Sequence, residues 1–152
     1  MILAPMRVAS PLSPSTPLSS TRKSAAVWVV RHQQEVPRLA SLGPEPLGAD
    51  FTPEVLGGIL GEAGKAQVKG VLRDQSRIAG IGNAYSDEIL HLARLSPLQL
   101  TGRLSDDDAA RLWRAAIDTL SGWRDRLIAE TGAAFPAKVT AFREGMRAHG
   151  RY

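Results

Sequence analysis

Gln67-Val68-Lys69-Gly70-Val71-Leu72-Arg73-Asp74-Gln75-Ser76-Arg77-Ile78-Ala79-Gly80-Ile81-Gly82-Asn83-Ala84-Tyr85-Ser86-Asp87-Glu88 decides how this chain is read. It divides into a helix, a tight glycine turn and a second helix. Lys65, Lys69, Arg73 and Arg77 recur every fourth residue, which places them on one helical face, while Val68, Val71 and Leu72 fall on a neighbouring apolar one. Gly80 and Gly82 bracket Ile81 and give the backbone two positions where positive φ costs little and where another backbone or a phosphate can approach with no side chain between. Asn83 is a favoured N-cap, so the next helix is expected to start there, with its positive end and free N–H groups beside the turn. Together these features predict an anion site built from backbone.

Each part also has a plainer reading. A row of cations on a helix is most often a solvated face, and Gly-x-Gly ahead of a helix is a weak motif. The glycines do not form a dinucleotide fingerprint, because the third glycine is missing and a helical pattern precedes them where that fold needs a strand. Gly64-Lys65 imitates the end of a phosphate loop, but Ala66 stands where a magnesium-holding Ser or Thr belongs and Ile59 where the first glycine belongs.

The rest of the chain narrows the class. At 152 residues and 43% hydrophobic content it is long enough for one ordinary domain and too short for two full ones. The net charge of +4 is concentrated at the ends: Arg7, Arg22, Lys23 and Arg31 against Glu35, and Lys138, Arg143, Arg147 and Arg151 against Glu144. Basic ends beside a backbone anion site favour a polyanionic partner. The absence of cysteine excludes disulfides, thiolate zinc sites and cysteine nucleophiles, and His32, His91 and His149 lack metal spacing, so no metal or cofactor is expected. No apolar run approaches the ~18 residues of a membrane helix. A soluble, cytoplasmic protein is expected.

Residues 1–21 are rich in Pro, Ser and Thr, with too few large apolar groups to offset the entropy of ordering them, and are expected to be disordered. Within 22–34, Val27-Trp28-Val29-Val30 reads as a buried strand without a partner. Residues 35–50, with Pro37, Gly43-Pro44, Pro46 and Gly48, read as a linker. Thr52-Pro53-Glu54 starts a helix that carries Val55, Leu56, Ile59 and Leu60 and ends at Gly64. After Asn83, Tyr85, Ile89, Leu92 and Ala93 share a face, and Ser96-Pro97 stops that helix. Ser105 and Asp106-Asp107-Asp108 open the longest helix, whose face runs Ala109, Leu112, Trp113, Ala116, Ile117, Leu120, Trp123 and Leu127. The two tryptophans are core anchors rather than a base-stacking platform. Four such helices over 51–131 can enclose one core, followed by a basic tail over 132–152.

On these residues the chain resembles the helix-two-turns-helix domain of the formamidopyrimidine-DNA glycosylase and endonuclease VIII family. Gln67 to Gln75, Ile78-Ala79-Gly80-Ile81-Gly82-Asn83-Ala84-Tyr85 and Asp87-Glu88 look like its signature, and Phe51-Thr52-Pro53-Glu54 and Phe135 to Arg143 look like its flanking segments. The resemblance runs from about Leu39 to Tyr152. It implies a mainly α, four-helix domain preceded by a disordered segment and the remnant of one β-strand. It also implies that Lys69, Arg73, Gly80, Ile81, Gly82 and Asn83 grip phosphates of damaged double-stranded DNA without reading sequence.

Family enzymes begin with a proline whose amine attacks the sugar, followed by an assisting glutamate, and usually end in a four-cysteine zinc hairpin. This chain reads Met1-Ile2-Leu3, Pro5 is internal, and no cysteine is present. The expectation is a fragment shortened at both ends: a monomeric, nucleoid-associated damaged-DNA-binding piece of a base-excision-repair DNA glycosylase and AP lyase, without the catalytic pair. Two alternatives stand beside it. One is a residual abasic-site lyase working through Lys69 or the N-terminus, and the other is an RNA-binding helical module.

Overall fold

The computed structural model describes residues 31–32, 35–134 and 143–148. The segment expected to be disordered, 1–21, and almost all of the strand expected over 22–34 lie outside them. The chain divides into two compact units, residues 1–40 and 41–152. In the first, the Leu39 N–H donates to the Val36 carbonyl at 2.9 Å and a single helical turn, α1, spans Pro37–Ala40 within the stretch read as linker.

The second unit is helical. It contains α2 (Pro53–Ala63), α3 (Val68–Arg73), α4 (Asn83–Ala93) and α5 (Asp106–Thr131), with a 3-10 turn at Thr101–Arg103. Among the described residues the only extended pairing is an isolated antiparallel bridge between Gln67 and Leu100. The fold is therefore mainly α, with the four helices that the sequence pattern indicates.

Local chemistry sets the ends of these helices. The Thr52 hydroxyl accepts the Val55 N–H at 3.3 Å and Pro53 takes the first helical position, where its missing N–H is no loss. At the start of α5 the Ser105 hydroxyl accepts the Asp108 N–H at 3.1 Å, and the Asp108 carboxylate accepts the Ser105 N–H at 3.0 Å. That reciprocal pair satisfies two donors that the helix start would otherwise leave unmade. Helix α4 ends at Arg94, which adopts left-handed backbone (φ 56°, ψ 43°) and turns its N–H back onto the carbonyls of Leu90 and His91.

The core is shared by all four helices. Leu56 and Leu60 of α2, Val68, Val71 and Leu72 of α3, Ile89, Leu90 and Ala93 of α4, and Leu112, Ala115 and Ala116 of α5 form one buried cluster. Helix α5 packs on α4 and α2, and α3 packs on α4. The Trp113 indole N–H donates to the Phe51 carbonyl at 2.8 Å, tying α5 to the start of α2. Two expected core positions differ. Val55 and Leu92 are 37% and 49% exposed, and Leu90 is buried instead. Helix α4 is covered by both α3 and α5, so its buried arc is wider than a single stripe and is centred away from Leu92.

Two irregular stretches join this core. The Gly43 N–H donates to the Gln75 carbonyl at 2.9 Å, and the Ala79 N–H donates to the Pro44 carbonyl at 3.1 Å. Residues 41–50, read as part of a linker from their prolines and glycines, thus hydrogen-bond into the helical unit. Far along the chain, the Glu88 carboxylate accepts the N–H groups of Arg147 and Ala148 at 2.8 and 2.6 Å, and Met146 and Ala148 are buried.

Candidate nucleic-acid interface

The site grows from the nine residues between α3 and α4. Helix α3 stops at Arg73 because Asp74 draws the following backbone to its own side chain: the carboxylate accepts the Ser76 N–H at 3.0 Å and the Ser76 hydroxyl at 2.6 Å. Those two bonds, hydroxyl first, hold the Asp74 carboxyl below the ordinary carboxylate range against a smaller opposing effect of desolvation, with Arg77 adding to the lowering. Ile78 and Ile81 then turn their side chains fully into the core and pin the turn at two points.

Between these points Gly80 is exposed and adopts φ +81°, a conformation that a β-carbon would strain. Gly82 does not use that freedom. It is extended (φ −98°, ψ −173°) and serves as the N-cap of α4. Asn83, expected as the cap, is the first helical residue instead, and its exposed side chain makes no capping bond. With a glycine cap and no acid in its first turn, α4 leaves the N–H groups of Asn83, Ala84 and Tyr85 without an acceptor among the described residues. By contrast, α2 and α5 are capped by Thr52 and Ser105 and carry Glu54 and Asp106-Asp107-Asp108 in their first turns. Of α2, α4 and α5, it is therefore α4 whose positive pole is left uncompensated.

The row of four cations is reorganised. Helix α3 covers only residues 68–73, so Lys65 precedes it and Arg77 follows it, paired with Asp74 at 3.2 Å. Lys69 and Arg73 remain on α3, one turn apart. Arg73 is exposed and has no ion-pair partner among the described residues. The Lys69 ammonium lies 2.5 Å from the Asp87 carboxylate of α4, and Asp87 stands one helical turn beyond Asn83 on the same face. Lys69, Gly80, Gly82 and Asn83 are thus gathered at the α3–α4 junction, while Ile81 can offer only its backbone.

Sequence reasoning missed Gln75. Its side-chain amide accepts the Gly80 N–H at 2.8 Å and donates to the carbonyls of Ile81 at 2.9 Å and Arg73 at 3.1 Å. Nothing in a lone glutamine between Asp74 and Ser76 announces a partner six residues on. It also missed Asp87 as the partner of Lys69, since the two lie on different helices. No group of three or more potential metal ligands occurs among the described residues.

Residues 42–123, more than half of the chain, match the family profile for the formamidopyrimidine-DNA glycosylase H2TH domain. The chain belongs to this H2TH family. An uncharacterized formamidopyrimidine-DNA glycosylase-like protein of Mycobacterium tuberculosis is 40% identical over 116 residues, covering 76% of this H2TH chain and 69% of the relative. The formamidopyrimidine-DNA glycosylase of Carboxydothermus hydrogenoformans is 49% identical over 77 residues, 51% of this chain and 29% of the enzyme.

Among solved structures, the MutM (Fpg) protein of Thermus thermophilus superposes with a TM-score of 0.57 at 35% identity, covering 74% of this chain and 40% of that one. The Lactococcus lactis enzyme bound non-covalently to DNA containing an AP site gives 0.53 at 32% identity, covering 59% and 34%. The H2TH chain therefore spans well under half the length of these named enzymes, and about two thirds of the Mycobacterium protein.

Proposed function

We propose that this H2TH protein binds damaged double-stranded DNA as a monomer, at the nucleoid, by gripping phosphates without reading bases and without excising the lesion itself. The observation that carries this reading is the N-terminus of α4, which has a glycine cap and no side-chain capping bond and is presented by the Gly80–Gly82 turn with the exposed Asn83 side chain beside it. Outward N–H groups and an uncompensated helix pole suit a phosphate oxygen, and exposed Arg73, whose carbonyl is tied to the turn through the Gln75 amide, adds a cation. The Lactococcus relative, solved with AP-site DNA, supports the choice of ligand.

The ion pair between Lys69 and the Asp87 carboxylate weighs against Lys69 as the attacking amine of the lyase alternative.

The test is fluorescence anisotropy with a duplex containing an abasic-site analogue, an intact duplex and an RNA duplex, each at two salt concentrations. Asn83→Ala is expected to weaken binding about three- to tenfold, by one lost hydrogen bond, equally on every DNA sequence. Arg73→Ala is expected to flatten the dependence of log affinity on log salt by about 0.9. A loss that depends on sequence would overturn phosphate gripping, and tighter binding to RNA would favour the RNA module. A borohydride-trapped adduct on the abasic duplex would establish lyase chemistry.

A further inference from the structure

We propose that Gln75 is the positioning residue of the phosphate grip: it holds the glycine turn in its binding shape and does not itself touch DNA. The inference rests on the phosphate-binding reading and deepens it.

The amide of Gln75 spans the turn from one side to the other. Its oxygen takes the N–H of Gly80, and its nitrogen gives to the carbonyls of Ile81 and Arg73. This orientation is the one that matches every donor to an acceptor; the flipped amide would set its oxygen against two carbonyls and its nitrogen against an N–H. The backbone carbonyl of Gln75 accepts the Gly43 N–H, so the residue is also anchored to the 41–50 stretch. The Gly80 N–H is therefore consumed internally and is not one of the groups that meets phosphate. Its engagement fixes the peptide next to it and, through Gly82, the direction in which α4 starts.

Gly80 and Gly82 have the widest backbone freedom of any residue type. A turn built from them has to be organised by something outside its own backbone, or its ordering is charged against every binding event. Buried Ile81 fixes one point between them, and Gln75 fixes the peptides on either side of it.

The experiment compares Gln75→Ala and Gln75→Glu with wild type by duplex anisotropy across a salt series, with melting curves and the 1H–15N resonance of Gly80 on the same samples. Gln75→Ala is expected to weaken binding about tenfold, consistent with losing hydrogen bonds that pre-form the turn. The salt slope is expected to stay unchanged, because no cation–phosphate pair is removed. The Gly80 amide resonance should move while the protein stays folded. Gln75→Glu keeps an acceptor for Gly80 but sets oxygen against two carbonyls and adds a negative charge, so it should bind more weakly than Gln75→Ala.

Wild-type affinity in Gln75→Ala would overturn the role. So would a salt slope shallower by about 0.9, the mark of a lost direct charge contact. If the wild-type protein fails to bind any duplex, the phosphate-binding reading falls and this role falls with it. If wild type binds and only the Gln75 variants match it, the role alone falls.

Discussion

Gly43 lies so close to the backbone of Arg77 that a β-carbon there would sit 2.4 Å from its carbonyl carbon and oxygen, and 2.8 Å from the Ile78 nitrogen. Backbone cannot swing aside as a flexible side-chain end can. Gly43→Ala is therefore expected to destabilise the protein by about 1–3 kcal/mol, read from denaturant unfolding, with the 74–82 turn displaced. In the sequence this glycine signals only a turn before Pro44. Its need for a missing side chain arises from a contact more than thirty residues away and could not be read locally. Asn83 shows the opposite case. Its place at the start of a helix was legible, because residue types at helix starts answer to local chemistry, but its register was off by one. Gly82 supplies the extended backbone of a cap without competing for the N–H groups, and that leaves the asparagine outside the helix's own bonding.

Whole elements were legible where their limits are set by near neighbours. The capping box of α5 is an instance: Ser105 and Asp108 close on each other over three residues, and Asp108 also meets Arg111 at 2.6 Å. Ser105→Ala is expected to lower the melting temperature by about 2–4 °C. The Ser105 amide, and then its hydroxyl, hold the Asp108 carboxyl below its ordinary value of 3.8. A carboxyl lowered in the folded state contributes stability that is fully present above 3.8 and is lost as pH falls through the lower folded value. Circular dichroism melts from pH 6 down to pH 2.5 should thus show a loss of stability at the acid end that is smaller in Ser105→Ala.

Helix α3 was the element least legible. Its cations recur at a spacing that suits a helix of at least thirteen residues, from Lys65 to Arg77, yet it spans only six. Side-chain spacing reports a possible face, whereas the side-chain bonds of Asp74 decide where the helix stops.

At the scale of the molecule, the mainly helical fold follows from the apolar spacing of α2, α4 and α5, and the family from the resemblance carried by residues 67–88, while the contacts that tie distant segments were not legible. Glu88 is the clearest of these: an acid on a largely buried helix, 7% exposed, whose carboxylate answers two amides 59 and 60 residues on. Glu88→Gln keeps one acceptor and turns an NH2 group toward the other amide, so the docking of residues 143–148 is expected to weaken. The pairings of α3 with α4 and of α4 with α5 are local by comparison, made across short connections, whereas α2 meets α5 across a separation as long as that of Glu88, as the Trp113–Phe51 bond shows. Contacts that close long loops are favoured late, after the short ones have formed. The bond from Glu88 to the 147–148 backbone should then be absent from the rate-limiting step of folding. In stopped-flow chevrons Glu88→Gln is expected to speed unfolding and leave refolding nearly unchanged; an equal slowing of refolding would place the docked segment in the nucleus. The carboxylate would thus govern how long the native protein lasts without affecting how quickly it is made.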